Sequence, residues 1–306
     1  MTHHTAQWRF SRRSAAPPAG GADDNGKAIS GRRGAENDTP PTRTGQGLTT
    51  MARDNFSKLL AMTPAASPVS YALNSKRCLP LTLGPGPDVL EGTDPADASA
   101  FHRWILRRLR AANADFAAGG YGEDRALYRM SDLYGTGSEE PRTVHLGVDL
   151  WLSAGTVIHA VLPGVVHSTR DNKEFGDYGP TIIIEHEIQG VRFHTLYGHL
   201  SRQSLQLTPR GRKVNIGEPI GWLGQPHENV GWAPHLHFQI IRELDGREGD
   251  YPGVCRASEK ATWLARCPDP NLLLRIDALK KPVRRPRVAA APKTAAAAAP
   301  KRAKTA

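Results

Sequence analysis

Three short segments bring together side chains that could do chemistry. His145 and Asp149 form an HxxxD pair in TVHLGVDL, His235 and His237 form an HxH pair in APHLHFQI, and His199 sits in TLYGHLS. A neutral imidazole and a carboxylate are donors that Zn²⁺ accepts at about 2.0–2.2 Å, and imidazole also carries protons near neutral pH. Gly147 inside HxxxD reads as a strand bending into a turn rather than as helix. On a strand, residues i and i+2 share a face, so His235 and His237 stand together with Leu236 and Phe238 on the other side. Pro234 marks where that strand begins. Taken singly, each segment has an ordinary reading: HxxxD pairs arise by chance, HxH is a polar strand face, and His199 is a surface histidine. Of the 12 histidines, nine lie between 145 and 237, a density that needs explaining residue by residue, since a clustered histidine is more often structural than chemical.

The elements that must position these residues are strands. From about 142 to 241 the runs TVHLGVDLW, TVIHAVL, GVVHST, PTIIIEHE, VRFHTLYGHL, PIGWLG and PHLHFQII alternate with Gly and Pro, the pattern of a mainly β fold with a small antiparallel sheet. Before it, residues 98–113 carry Phe101, Ile105, Leu106 and Leu109 at helical spacing, predicting one amphipathic helix. Residues 51–97, with PLTLGPGPDVLEG, read as loop and turn. Residues 242–279 read as loops with one short helix in NLLLRIDALK. His159, His167 and His186 fall in strands away from the three segments and, with His194, are given ordinary strand or surface roles. His227 falls in a loop near the site and could line a cleft, and Glu185 and Glu187 are expected to face solvent.

The order of the segments is more specific than any one of them. HxxxD, GT-x5-PG-x-V, LYGHLS, a V-x2-GE-x-IG-x2-G hairpin and HLHF follow one another within about a hundred residues. In this the chain resembles the LytM/lysostaphin-type zinc metallopeptidases, over about a third of its length. The resemblance implies that His145, Asp149 and His237 bind Zn²⁺ and that His199 and His235 are the catalytic pair. Three protein ligands leave a fourth position for water, whose pKa the metal lowers towards about 7. One free imidazole then takes a proton, and the other stabilises the oxyanion or protonates the leaving amine. The resemblance does not say which does which. A narrower likeness, in GGYGEDRALY, DYGP, NVGWAPHLHFQ, DYPGV and CPDPNLLL, is to a subgroup that includes domains fused to phosphotransferase and aminotransferase modules. It draws residues 119–141 and 250–274 into the same unit. Two departures from the commoner pattern flank the metal positions: ENVGWAP precedes HLH, and Gln239 stands where an acidic residue is frequent. The hairpin VNIGEPIGWLG is also similar to that of biotinyl- and lipoyl-carrier folds, but no Lys stands at its tip.

The division expected is a disordered segment at 1–50, a linker and helix at 51–118, a zinc metallopeptidase domain at 119–279 with its motif core at 142–241, and a disordered tail at 280–306. That tail is Lys, Arg, Ala and Pro, a low-complexity composition. It holds nine of the 40 basic residues and no acidic one, so the remaining 31 basic residues nearly balance the 30 acidic ones. The tail reads first as a solvated, disordered segment, with non-specific contact with anionic polymers as the alternative. It has no aromatic residue on which a base could stack. No apolar run reaches the roughly 20 residues of a membrane span, and the start lacks the apolar stretch of a signal peptide. The compartment therefore follows the substrate: extracytoplasmic for peptidoglycan, cytoplasmic otherwise. Three cysteines make no complete disulfide framework; free buried thiols are expected, with a Cys255–Cys267 bridge as the alternative. The function implied is a zinc-dependent endopeptidase acting on peptidoglycan or another peptide. The competing reading is a zinc-stabilised module that binds polymer without cutting it.

Overall fold

A computed structural model describes residues 50–84, 90, 92–94, 97–125, 140–174 and 176–280. Of the two segments expected to be disordered, 1–49 and 281–306 lie outside the described residues. Along the chain the elements are α1 (Thr50–Met62), β1 (Cys78–Pro80), α2 (Ala98–Ala111), β2 (Phe116–Gly119), β3 (Arg142–His145), β4 (Val148–Trp151), β5 (Val157–His159), β6 (Gly164–Asn172), β7 (Gly179–Ile188) and β8 (Val191–Gly198). They continue with α3 (Arg202–Leu207), β9 (Lys213–Val214), β10 (Pro219–Trp222), β11 (His235–Ile241), β12 (Val254–Arg256), α4 (Lys260–Arg266) and α5 (Asn271–Leu274). The fold is mainly β, as the strand pattern implied. Its sheet is larger than expected, with eight strands in the order β1-β2-β4-β11-β8-β7-β6-β9, flanked by the pairs β10-β5 and β12-β3. It is antiparallel except at one edge, where β1 and β2 run parallel.

Alternation along β11 assigns the two faces. Leu236, Phe238 and Ile240 join Val148, Leu150, Ile182, Ile184, Phe193 and Tyr197 in one buried cluster. His235, His237 and Gln239 point to the other side, as the two-residue period requires. The apolar face is closed by α1, whose Phe56 and Leu60 enter that cluster; Phe56 meets Phe193 edge-on at 5.4 Å between ring centroids. This helix occupies part of the stretch expected to be loop. Its apolar stripe is only Phe56, Leu59 and Leu60, too short to announce itself, and its place is decided by a ring on β8.

α2 begins at the capping residue Asp97, whose carboxylate accepts from the backbone N–H of Ser99 and Ala100, both at 2.9 Å, which supplies acceptors for otherwise orphaned N–H groups. It buries Phe101, Trp104 and Ile105 against Leu81, Leu83, Ala117 and Trp151. Trp151 lies two residues after Asp149 on β4, so α2 walls the functional face of the sheet. The 242–279 region carries α4 as well as the expected helix near NLLLRIDALK. All three cysteines are free, with Cys255 and Cys267 buried.

Candidate metal centre

Neighbouring strands bring HxxxD and HxH into register. β11 pairs with β4 so that His237 faces Asp149 and His235 faces Trp151. On its other side β11 pairs with β8, and His237 faces Gly198, the residue before His199. β3 ends at His145, and the turn through Gly147 returns the chain into β4. Gly147 is required by space: a Cβ there would lie 2.5 Å from His237 Cε1 and 2.6 Å from its Nε2. His199 adopts φ 60°, a left-handed conformation that costs energy for a residue with a side chain and recurs at functional sites. It is held by its N–H to Tyr178 O at 2.8 Å and by Gly224 N–H to its carbonyl at 2.9 Å.

His145, Asp149 and His237 are buried and offer ligand atoms within 4.8 Å of one another. His145 Nε2 is 2.9 Å from His237 Nδ1, and Asp149 Oδ1 is 3.3 Å from the first and 3.2 Å from the second. The outer nitrogens determine which atoms carry protons. His145 Nδ1 lies 3.2 Å from the carbonyl of Gly120, which can only accept. His237 Nε2 lies 2.9 Å from Gln239 Oε1; the Gln239 amide N–H donates to Pro252 O at 3.0 Å, so its oxygen is the atom turned to the ring. In neutral rings, both outer nitrogens are donors and both inner ones are bare acceptors. Two acceptor nitrogens and a carboxylate oxygen converging at about 3 Å repel one another unless a cation lies between them. Donors at about 2.0–2.1 Å from one tetrahedral centre stand about 3.3–3.4 Å apart, close to this spacing. The residues fit a divalent metal.

Charge follows the same logic. Burial pushes the His145 pKa down to about 4, with Arg125 adding to the effect. Burial acts to raise the Asp149 carboxyl, but the surrounding charge, including the Arg125 guanidinium bonded to its Oδ2, holds it well below the usual carboxylate range. His145 therefore offers a neutral imidazole and Asp149 an ionised carboxylate, the protonation states that metal binding needs.

His199 and His235 stand beside the donor group, with ring centroids 4.1 Å apart. His235 Nδ1 donates to Ala233 O at 2.7 Å, leaving Nε2 as the acceptor, 3.9 Å from Asp149 Oδ1. Among the described residues His199 Nδ1 is buried without a hydrogen-bond partner. Burial lowers the pKa of both, and for His199 the neighbouring His235 and His237 lower it further. Aromatic rings frame the pair: Trp151 stacks on His235 at 5.9 Å, and Tyr178 lies 5.9 Å from His199 and 5.0 Å from His237. All five residues singled out in the sequence thus meet at one place.

The other histidines go elsewhere. His186 is buried between Pro163 O and Thr195 Oγ1, His194 lies 3.4 Å from Glu185, and His227 is exposed. Sequence reasoning missed Gly120, Arg125 and Tyr178, although each lay inside a quoted motif. It noted Gln239 only as a departure, without seeing that it holds His237.

Residues 143–250 match the family model described as Peptidase family M23. Lysostaphin of Staphylococcus staphylolyticus is 34% identical over 97 residues, 31% of this chain and 18% of that protein. Glycyl-glycine endopeptidase ALE-1 of Staphylococcus capitis is 33% identical over 96 residues, 31% of this chain and 24% of that protein. The chain thus spans about a fifth of the length of these relatives. Among solved structures, the catalytic domain of the antimicrobial peptidase lysostaphin from Staphylococcus simulans aligns at 21% identity and a TM-score of 0.32, covering 53% of this chain and 96% of that one. The matched segment opens just before His145 and runs beyond His237, so it contains the whole donor group and both flanking histidines: residues 143–250 are a Peptidase family M23 domain.

Proposed function

We propose that the protein is a zinc-dependent endopeptidase whose metal is held by His145, Asp149 and His237, and that it cleaves peptide bonds of peptidoglycan stems or cross-links. The observation that carries this is the pair of inward, unprotonated imidazole nitrogens sharing one point with an ionised carboxylate oxygen, with a second imidazole pair alongside. Zn²⁺ bound there would polarise the scissile carbonyl and lower the pKa of a water towards about 7. The chain's own residues do the rest. His235 is the base: its Nδ1–H is fixed on Ala233 O, so Nε2 is free to take a proton from the attacking water. His199, 4.1 Å away, donates a hydrogen bond to the carbonyl oxygen as charge develops there, and the proton that His235 has taken passes to the leaving amine. Trp151 and Tyr178, with Trp232 at 6.1 Å from the His199 and His235 rings, would shield this pair from bulk water. The name of the ALE-1 relative, a glycyl-glycine endopeptidase, favours small residues at the cleaved bond.

The test combines metal content with digestion. Wild type and His235→Ala are assayed for zinc, then incubated with isolated peptidoglycan while new amino termini are counted. One zinc on each protein and amine release by wild type alone is the expected result. Zinc on both and release by neither, on peptidoglycan or glycine-rich peptides, would instead favour a binding module. Absence of zinc on wild type would remove the central claim.

A further inference from the structure

Upstream of the M23 segment, residues 120–125 lie along β3. Gly122 N–H donates to His145 O at 2.8 Å, His145 N–H to Glu123 O at 2.9 Å and Arg125 N–H to Thr143 O at 2.9 Å. This delivers a guanidinium to the back of the metal centre. Arg125 is 2% exposed. Its Nη1 donates to Asp149 Oδ2 at 2.6 Å and its Nε to Glu123 Oε2 at 2.7 Å. Glu123 is itself anchored, since its Oε1 accepts from Leu83 N–H at 2.8 Å and Gly84 N–H at 3.2 Å. Gly120 closes the arrangement: at φ +102° it approaches so nearly that a Cβ would collide with the Arg125 guanidinium and His145 Nδ1.

We infer that Arg125 is the residue that sets how Asp149 meets the metal. By occupying Oδ2 it turns Oδ1 alone towards His145 and His237, and Glu123 locks the guanidinium in that pose. The inference rests on the reading that His145, Asp149 and His237 hold the metal. A cation behind a metal ligand also repels the metal, so the two effects must be weighed. Glu123 lies 2.7 Å from the guanidinium and offsets its charge, whereas nothing else described replaces its hold on Oδ2. Positioning therefore outweighs repulsion, and loss of Arg125 weakens metal binding. Outer partners of metal ligands typically carry 10–100-fold in affinity. Arg is suited to the task because its planar fork can serve two carboxylates at once, which the single ammonium of Lys cannot do with fixed geometry. Arg125 is a positioning residue, and the M23 segment alone lacks it.

The experiment measures zinc Kd by competition with a chromophoric chelator, and the unfolding midpoint of the metal-free protein. It compares wild type, His237→Ala, Arg125→Lys, Arg125→Met and the double variant Glu123→Gln/Arg125→Met. The double variant removes one charge of each sign, so it restores the buried charge balance without restoring the hold on Oδ2. Zinc affinity is expected to fall about 10–100-fold in Arg125→Met and to stay low in the double variant even as its midpoint recovers. Arg125→Lys should lie between. Wild-type affinity in the double variant and in Arg125→Lys, with only the midpoints lowered, would make Arg125 a structural ion pair and overturn the inference. Should Arg125→Met fail to fold, those two variants decide alone. Tight zinc binding by wild type that His237→Ala does not weaken would overturn the metal-site reading instead, and wild type without zinc would overturn both.

Discussion

Gln239 is fully buried and joins three groups: its oxygen faces His237 Nε2 at 2.9 Å, and its amide nitrogen faces Pro252 O at 3.0 Å and Cys267 Sγ at 3.3 Å. The amide accepts from the ring through its oxygen and donates to the carbonyl through its nitrogen. A carboxylate could accept from His237 but would set its other oxygen against Pro252 O. Gln239→Leu should leave a buried N–H and a buried carbonyl without partners, at about 1–3 kcal/mol each, and lower zinc affinity about 10–100-fold. Gln239→Glu should keep more of the zinc affinity while losing stability. Denaturant unfolding of the metal-free variants and chelator competition separate the two effects; equal zinc affinity in wild type and Gln239→Leu would refute the orienting role. Gly147 is constrained by space alone. Gly147→Ala should displace the His237 ring and cost about 1–3 kcal/mol, as overpacking does, with zinc binding weakened in the same measurement.

At the scale of elements, what could be read from the sequence depended on how local the cause was. β11 was legible because a two-residue period carries both its faces within seven residues, and β4 because Gly147 and Asp149 lie in one short motif. α2 was legible from Phe101, Ile105 and Leu109, although Trp104, fully buried, is the residue that anchors it against the cluster containing Trp151. α1 was not legible, because its three-residue stripe acquires meaning only from Phe193 on a distant strand. The same holds for Arg125: its motif is quoted easily, but its partner Asp149 lies on a strand it reaches only after β3 has been laid beside it. Trp104→Ala should cost about 3–5 kcal/mol as a large cavity opens under α2. Since α2 walls the functional face beside Trp151, peptide cleavage should weaken at temperatures where the variant is still folded. A variant unfolding at the wild-type midpoint would show that α2 is not packed as described.

For the molecule as a whole, the pH dependence of stability can be argued from a histidine remote from the candidate metal centre. His186 on β7 is buried, its Nδ1–H on Pro163 O at 2.8 Å and its Nε2 accepting from Thr195 Oγ1 at 2.8 Å. Both bonds suit the neutral ring. Burial pushes its pKa down to about 4, against a weaker opposing pull from the Pro163 carbonyl; His194 adds to the fall and Glu185 resists it. The unfolded chain, titrating near 6.5, binds a proton on this ring between about pH 6.5 and 4 while the folded chain does not. The stability contributed by the neutral ring is therefore complete above pH 6.5 and is lost as pH falls towards 4. At about 1.4 kcal/mol per unit the loss approaches about 3 kcal/mol. Other buried histidines act in the same sense, so the wild-type curve alone does not isolate this one. The difference between wild type and His186→Gln does: wild type should be the more stable by a margin that shrinks by up to that amount between pH 6.5 and 4. Chemical unfolding of the metal-free proteins at half-unit intervals reads the margin directly, and one that stays constant through that window would mean that His186 is not held neutral in the fold.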